Sequence, residues 1–187
     1  MRLSVSPGTT IQRCLSALLM CLAVAHSPAA ADASREVPIG GTLPEATLQG
    51  LNGPTRKLSE YRGRPLIINV WASWCGPCRA EMASLERLAW LDRGQYFAII
   101  GISTDDYADQ AKRLLTNANA TISQFIDTGL QMENILGATR LPLTVLIDAH
   151  GRVLEKVYGA KEWDGADALR LIDSVFHKRG NTRVPAQ

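Results

Sequence analysis

A chain of 187 residues, 46% hydrophobic and 20% charged, has the composition of a globular protein with material for one hydrophobic core. Its net charge of +2 comes from 20 basic and 18 acidic residues, and the first 31 residues hold two of the basic ones, Arg2 and Arg13, and no acid. The remainder is balanced and shows no basic stripe or polybasic flank, which excludes nucleic acid and anionic bilayers as partners recruited by charge.

Residues 1–31 have the shape of a secretory signal: a Leu/Ala/Met run from Leu15 to Ala25, then small residues at Ala29, Ala30 and Ala31 that place a cut before Asp32. The run is about a dozen residues, shorter than the roughly 20 of a membrane span, so cleavage is favoured over an uncleaved inner-membrane anchor. A lipoprotein signal ending at Cys21 is disfavoured by Met20, and Cys14 and Cys21 read as apolar filler. Residues 32–45, small, polar and Pro/Gly-bearing, read as a linker into a domain over 46–178, with 179–187 a tail.

Within that domain, 46–51 and 55–58 flank Asn-Gly-Pro and predict a hairpin, and Ser59 is a candidate cap for a short turn closed by Gly63 and Pro65. "LIINVW" is an uninterrupted apolar run, as expected of a strand covered on both faces. From Cys75 the period changes to helical, through Cys78, Met82, Leu85 and Ala89. "YFAIIGIS" (96–103) predicts a second buried strand, and Thr104 a cap for a helix with Asp105, Asp106 and Asp109 early and Lys112 and Arg113 later. A short strand over 121–126, a brief helix over 130–136, a hairpin of 143–148 with 152–159, and a closing helix over 163–177 follow. Strand and helix alternate, which predicts an α/β fold with a mixed sheet and helices on both faces.

The chemistry concentrates in "WCGPC". Cysteines three apart on a first helical turn lie on one face, near enough to bridge. As a structural staple the pair would gain little, because so short a loop costs the unfolded chain little entropy when closed. As a structural zinc site it lacks further ligands, since His26, His150 and His177 show no ligand spacing to it. The remaining use is redox exchange. Cys75 stands where the helix begins, so free backbone N–H groups and the positive end of the macrodipole favour its thiolate and make it the nucleophile. Cys78, one turn further in, would resolve the mixed disulfide. Gly76 permits close backbone approach, and Pro77 falls in the first turn, where a missing N–H costs nothing.

These residues, with the lead-in "LSEYRGRPLIINVWA" and with "TRLPLTVLIDAHGRV", resemble the thioredoxin superfamily and, more narrowly, its TlpA/ResA-like extracytoplasmic, redoxin-like branch, over roughly residues 38–178. The resemblance implies a thioredoxin-like fold with an N-terminal hairpin and a central insertion, here 104–140. It also implies that Pro142 is the family's cis-proline, beside the disulfide, with Leu141 pairing its backbone to substrate; an ordinary trans proline on an edge strand is the alternative. Trp71 and Trp74 match aromatics that shape the contact surface, with plain core filling the alternative for Trp71. Cytoplasmic thioredoxins carry a buried aspartate where this chain has Asn69, which cannot take a proton. Glu81 matches instead the acidic residue that the TlpA/ResA-like branch sets near the disulfide, and is expected to be desolvated and to relay the Cys78 proton; a solvated helix carboxylate is the alternative.

The activity implied is thiol-disulfide exchange in the periplasm, in the reducing direction, on disulfide-bearing partners such as apocytochrome c or copper chaperones for cytochrome oxidase. A membrane thiol donor of the DsbD or CcdA type would recharge the dithiol. No cofactor and no metal are expected, and the chain is expected to act as a monomer. A disulfide-forming oxidant is the main rival. A thiol peroxidase would need a Pro-x-x-x-Thr-x-x-Cys run, which is absent, and a copper-binding assembly factor would need a histidine near the pair.

Overall fold

The apolar runs of the sequence become the centre of one mixed sheet. The computed structural model describes residues 36–178, so the signal read over 1–31 and the tail over 179–187 lie outside the described residues. In chain order the elements are β1 (Thr47–Gly50), β2 (Arg56–Lys57), a 3₁₀ turn (Leu58–Tyr61), β3 (Leu66–Trp71), α1 (Gly76–Asp92), β4 (Ala98–Ser103), α2 (Ala108–Asn117), β5 (Ser123–Ile126), α3 (Gln131–Leu136), β6 (Leu143–Ile147), β7 (Val153–Tyr158) and α4 (Ala166–Lys178). The seven strands lie in the order β2-β1-β5-β4-β3-β6-β7, with β3, β4 and β5 parallel and the remaining pairings antiparallel.

Every residue of β3 is buried, Asn69 included, as expected of a strand with layers on both sides. Its side chains alternate between those layers. Leu66, Ile68 and Val70 face a core shared with Met132, Ile135 and Leu136 of α3. Ile67 faces Leu85 and Leu88 of α1 and Ile172, Val175 and Phe176 of α4, and Trp71 packs with Met82 of α1 and Ala111 and Leu115 of α2. Asn69 falls on this second face, buried among the helices. Register then sets Thr144 of β6 directly opposite it.

Four readings are corrected. The linker assigned to 32–45 belongs to the fold from residue 37 onward: Val37 N–H donates to Ile135 O, Gly40 N–H to Val153 O and Leu43 N–H to Gly151 O, and the Leu43 side chain is in the core. Backbone pairing compensates for the weak apolar content that made the stretch look like a tether. Ser59 lies inside the 3₁₀ turn and caps nothing; Glu60 reaches back to the Lys57 N–H instead. Thr104 does not cap α2, which starts four residues later with Tyr107 at the cap position, because Thr104 N–H extends the β3–β4 ladder onto Trp71 O. The closing helix begins at Ala166 rather than 163, since Trp163 is held by α1 in a way described below.

Candidate active site

α1 starts directly beyond the C-terminal end of β3, the edge of an α/β sheet where loops are free to build a site. Cys75 is the cap residue of that helix, in extended conformation, and its sulfur accepts the backbone N–H of Cys78 at 3.2 Å. Gly76 and Pro77 occupy the first two helical positions, both exposed. The two sulfurs are bonded at 2.00 Å, with Cα atoms 5.3 Å apart, so the structure holds the oxidised form. Cys75 keeps 6% of its surface exposed and Cys78 none. An incoming sulfur therefore meets position 75 first, and position 78 is reachable only from 75.

The rim around Cys75 is apolar. Trp74, next to it, is 69% exposed. Leu141 is half-buried and packs against the cluster that contains both cysteines, and the Leu141–Pro142 peptide bond is cis, with Pro142 itself buried. The rim thus consists of Trp74, Gly76 and Pro77, exposed beside the pair along the chain, with Leu141 packed against the cysteine cluster. Trp71 is not part of it. Its side chain is fully buried and its indole N–H donates to Gln124 Oε1 at 2.9 Å. Gly101 makes that bond possible, since a Cβ there would stand 1.9 Å from the same Gln124 oxygen.

A buried carboxylate braces the loop that carries Trp74. Asp105 accepts from the Ser73 N–H (2.9 Å), the Ser73 hydroxyl (2.7 Å) and the Ser103 hydroxyl (2.7 Å), tying the end of β4 to the approach to Cys75. Sequence reasoning read Asp105 as a helix-start charge. The signal that distinguishes it is the Ser73/Ser103 pair, visible only once β3 and β4 are known to be neighbours.

Behind the disulfide the environment reverses. Glu81, one turn after Cys78 on α1, is 1% exposed. Its Oε1 accepts from Asn69 Nδ2 at 2.8 Å, and its Oε2 from the Lys161 backbone N–H and the Trp163 indole N–H, both at 3.1 Å. Burial pushes the Glu81 carboxyl above its ordinary value, and the donors from Asn69, Trp163 and Lys161 offset only part of that push. Asn69 uses its other amide hydrogen on Thr144 Oγ1 at 3.1 Å. The sequence pointed to Glu81, but not to Trp163, Lys161 or Thr144, which lie 63 to 82 residues away along the chain and are delivered by β6 and by the segment before α4.

A groove of about 370 Å³ runs between α1 and α2 and is lined by Met82, Trp90 and Leu114 among others. None of Trp74, Cys75, Leu141 or Pro142 lines it, so this groove is separate from the approach to Cys75.

A dithiol at a helix start on a thioredoxin-like sheet, one sulfur at the surface and the other sealed beneath it, defines a thiol-disulfide oxidoreductase. The Redoxin family model matches residues 38–172, and the chain belongs to that family. It is 30% identical over 139 residues to the thiol-disulfide oxidoreductase ResA of Geobacillus kaustophilus, covering 74% of this chain and 79% of that one. It is 36% identical over 118 residues to the thiol:disulfide interchange protein DsbE of Vibrio cholerae, covering 62% of each. Among solved structures, a proposed DsbE-type interchange protein from Chlorobium tepidum superposes with a TM-score of 0.69 at 25% identity, over 75% of this chain and 99% of that one. The chain is thus a thiol-disulfide oxidoreductase of ResA/DsbE type.

Proposed function

We propose that the protein works outside the cytoplasm, in the periplasm, as a reductant of disulfides in partner proteins. The observation that carries this reading is the asymmetry of the pair: Cys75, at a helix start, keeps a small part of its surface open, and Cys78 keeps none. The Cys75 thiolate attacks one sulfur of the partner's disulfide, that bond breaks, and the partner's other sulfur leaves as a thiolate. Cys78 then loses its proton to Glu81 and attacks Cys75, releasing the partner's second thiolate and leaving the 75–78 disulfide. Two electrons pass to the partner. The rim of Trp74, Gly76, Pro77 and Leu141 receives the polypeptide that bears the target sulfurs.

The reducing direction is supported by the Cys-Gly-Pro-Cys arrangement shared with thioredoxin, whose potential is about 150 mV below that of a strong periplasmic oxidant, a gap of roughly 7 kcal/mol. The periplasm is supported by the signal-like residues 1–31. Among the described residues no helix is long and apolar enough to cross a membrane. A reductant in an oxidising compartment must be recharged, which calls for a membrane thiol donor of the DsbD or CcdA type. The resemblance to the ResA/DsbE group supports apocytochrome c, or a copper chaperone for cytochrome oxidase, as the substrate. Expression of Cys78→Ser in the parent organism tests the proposal: Cys75 stays bonded to its natural partner, which mass spectrometry identifies. Capture of proteins with no cysteine pair to reduce, or a potential near that of DsbA on equilibration with glutathione, overturns it in favour of the oxidant.

A further inference from the structure

The geometry points to Trp163 as a positioning residue for the resolving step: its indole N–H fixes Glu81 Oε2 as a permanent acceptor and leaves Oε1, the oxygen facing Asn69, as the atom that carries the proton. This rests on the relay reading of Glu81 given above and adds to it the atom that holds the proton and the side chain that tunes its hold. The two carboxylate oxygens have different partners. Oε2 faces two donors that cannot become acceptors, an indole N–H and a backbone N–H. A proton on Oε2 would point at another N–H. Oε1 faces an amide that can reverse, because Asn69 bears an acceptor as well as a donor and its other neighbour, the Thr144 hydroxyl, can donate or accept. Turning the amide over lets Asn69 Oδ1 accept from protonated Glu81 and from Thr144 together.

The donors at Oε2 are held in place by α1 itself. Ser84, one turn beyond Glu81, accepts the Trp163 backbone N–H at 3.0 Å, and its hydroxyl lies 3.2 Å from the Lys161 carbonyl. Arg87, a further turn on, draws the carboxylates of Glu162 and Asp164 outward. Those two acids therefore face away from Glu81. Among the described residues, Asn69 of β3 bonds Glu81 and is bonded in turn to Thr144 of β6, neither of which titrates, and Cys78 lies one turn earlier on α1. In the balanced step, Cys78 S–H yields its proton to Glu81 Oε1 and its thiolate attacks the Cys75 sulfur. The mixed disulfide breaks, and the partner's sulfur departs as a thiolate.

The test is Trp163→Phe in the full chain, followed in two ways. Difference infrared of the carboxyl C=O stretch, assigned by its loss in Glu81→Gln, titrates Glu81 directly. Release of glutathione from a Cys75–glutathione mixed disulfide follows resolution against pH. Removing a donor from the carboxylate should move the Glu81 midpoint up by about one pH unit, and the resolution profile should move with it. Because Trp163 is fully buried, replacement at that one position by benzothienylalanine, which puts sulfur in place of the N–H at the same shape, guards against a packing artefact. An unmoved infrared midpoint in both variants overturns the assignment of Trp163. A moved midpoint with an unmoved resolution profile overturns the relay reading and leaves the hydrogen bond standing.

Discussion

The two ends of the first turns of α1 manage their sulfurs by different means. At the mouth, Cys75 is served by backbone: it caps the helix, its sulfur accepts the Cys78 N–H, and every residue needed lies within the motif. At the back, the carboxylate proposed to take the Cys78 proton is served by side chains and one amide drawn from β3, β6 and the segment before α4. A helix start is local and tolerant of change around it. A desolvated carboxylate depends on each donor, because in a dry site any unpaired group costs its full desolvation. The nucleophile should therefore be robust to substitution outside the motif, and the resolving step sensitive to it.

The hardest test of that contrast is at the sulfurs. Cys75→Ser should abolish reduction of a protein disulfide, whereas Cys78→Ser should still form the mixed disulfide and stall there; gel analysis under non-reducing conditions separates the two. Next in size is Glu81→Gln, which reproduces protonated Glu81 with its amide nitrogen toward Asn69. Resolution at neutral pH should slow about a hundredfold and follow the ionisation of Cys78 alone, while the rate of first attack is unchanged by stopped-flow fluorescence.

The same variant carries a stability signature. The folded carboxyl sits above its unfolded value, so the folded state holds the proton longer and the wild type loses stability as pH rises from the unfolded value, about 4.5, through the folded one. Glu81→Gln lacks that loss, and its stability relative to wild type should climb over the same window in urea titrations. A constant difference across pH would mean that Glu81 is ionised as easily as a solvated glutamate.

Asp105→Ala addresses the mouth from the side. It strips three donors of their acceptor and should cost about 1–3 kcal/mol in urea unfolding while leaving the rate of attack by Cys75 little changed, and Asp105→Asn, which keeps an acceptor and a rotatable hydroxyl partner, should cost less. The smallest stability effect is expected at exposed Trp74: Trp74→Ala should change stability by under about 0.5 kcal/mol and weaken attack on a protein disulfide without changing attack on a small one. Equal loss on both substrates would move Trp74 from the docking rim into the reaction itself.

Much of the fold was legible because its central strands are largely apolar on both faces and its first helix begins at the cysteines. The hairpin around Asn-Gly-Pro, the buried runs of β3 and β4, and the helix starting at the cysteines were all readable from periodicity. Capping was read less well, since Ser59 and Thr104 carry the right side chains but their backbone groups are claimed elsewhere, Thr104 by the strand ladder. The segment from residue 37 looked like a tether because its ties to the fold are backbone hydrogen bonds, which leave no mark in side-chain pattern.

By itself the sequence determined the reacting pair and its order, because a Cys-Gly-Pro-Cys turn places one thiol at a helix start and the other a turn inside whatever surrounds it. Glu81 was marked by what the resemblance to the TlpA/ResA-like branch implies. The tertiary structure alone decided what that carboxylate meets: β-sheet register set Thr144 opposite Asn69, and Ser84 brought Trp163 back over α1. Spacing along a chain fixes neighbours within a helical turn, whereas the partners of a buried charge are chosen by packing between distant segments.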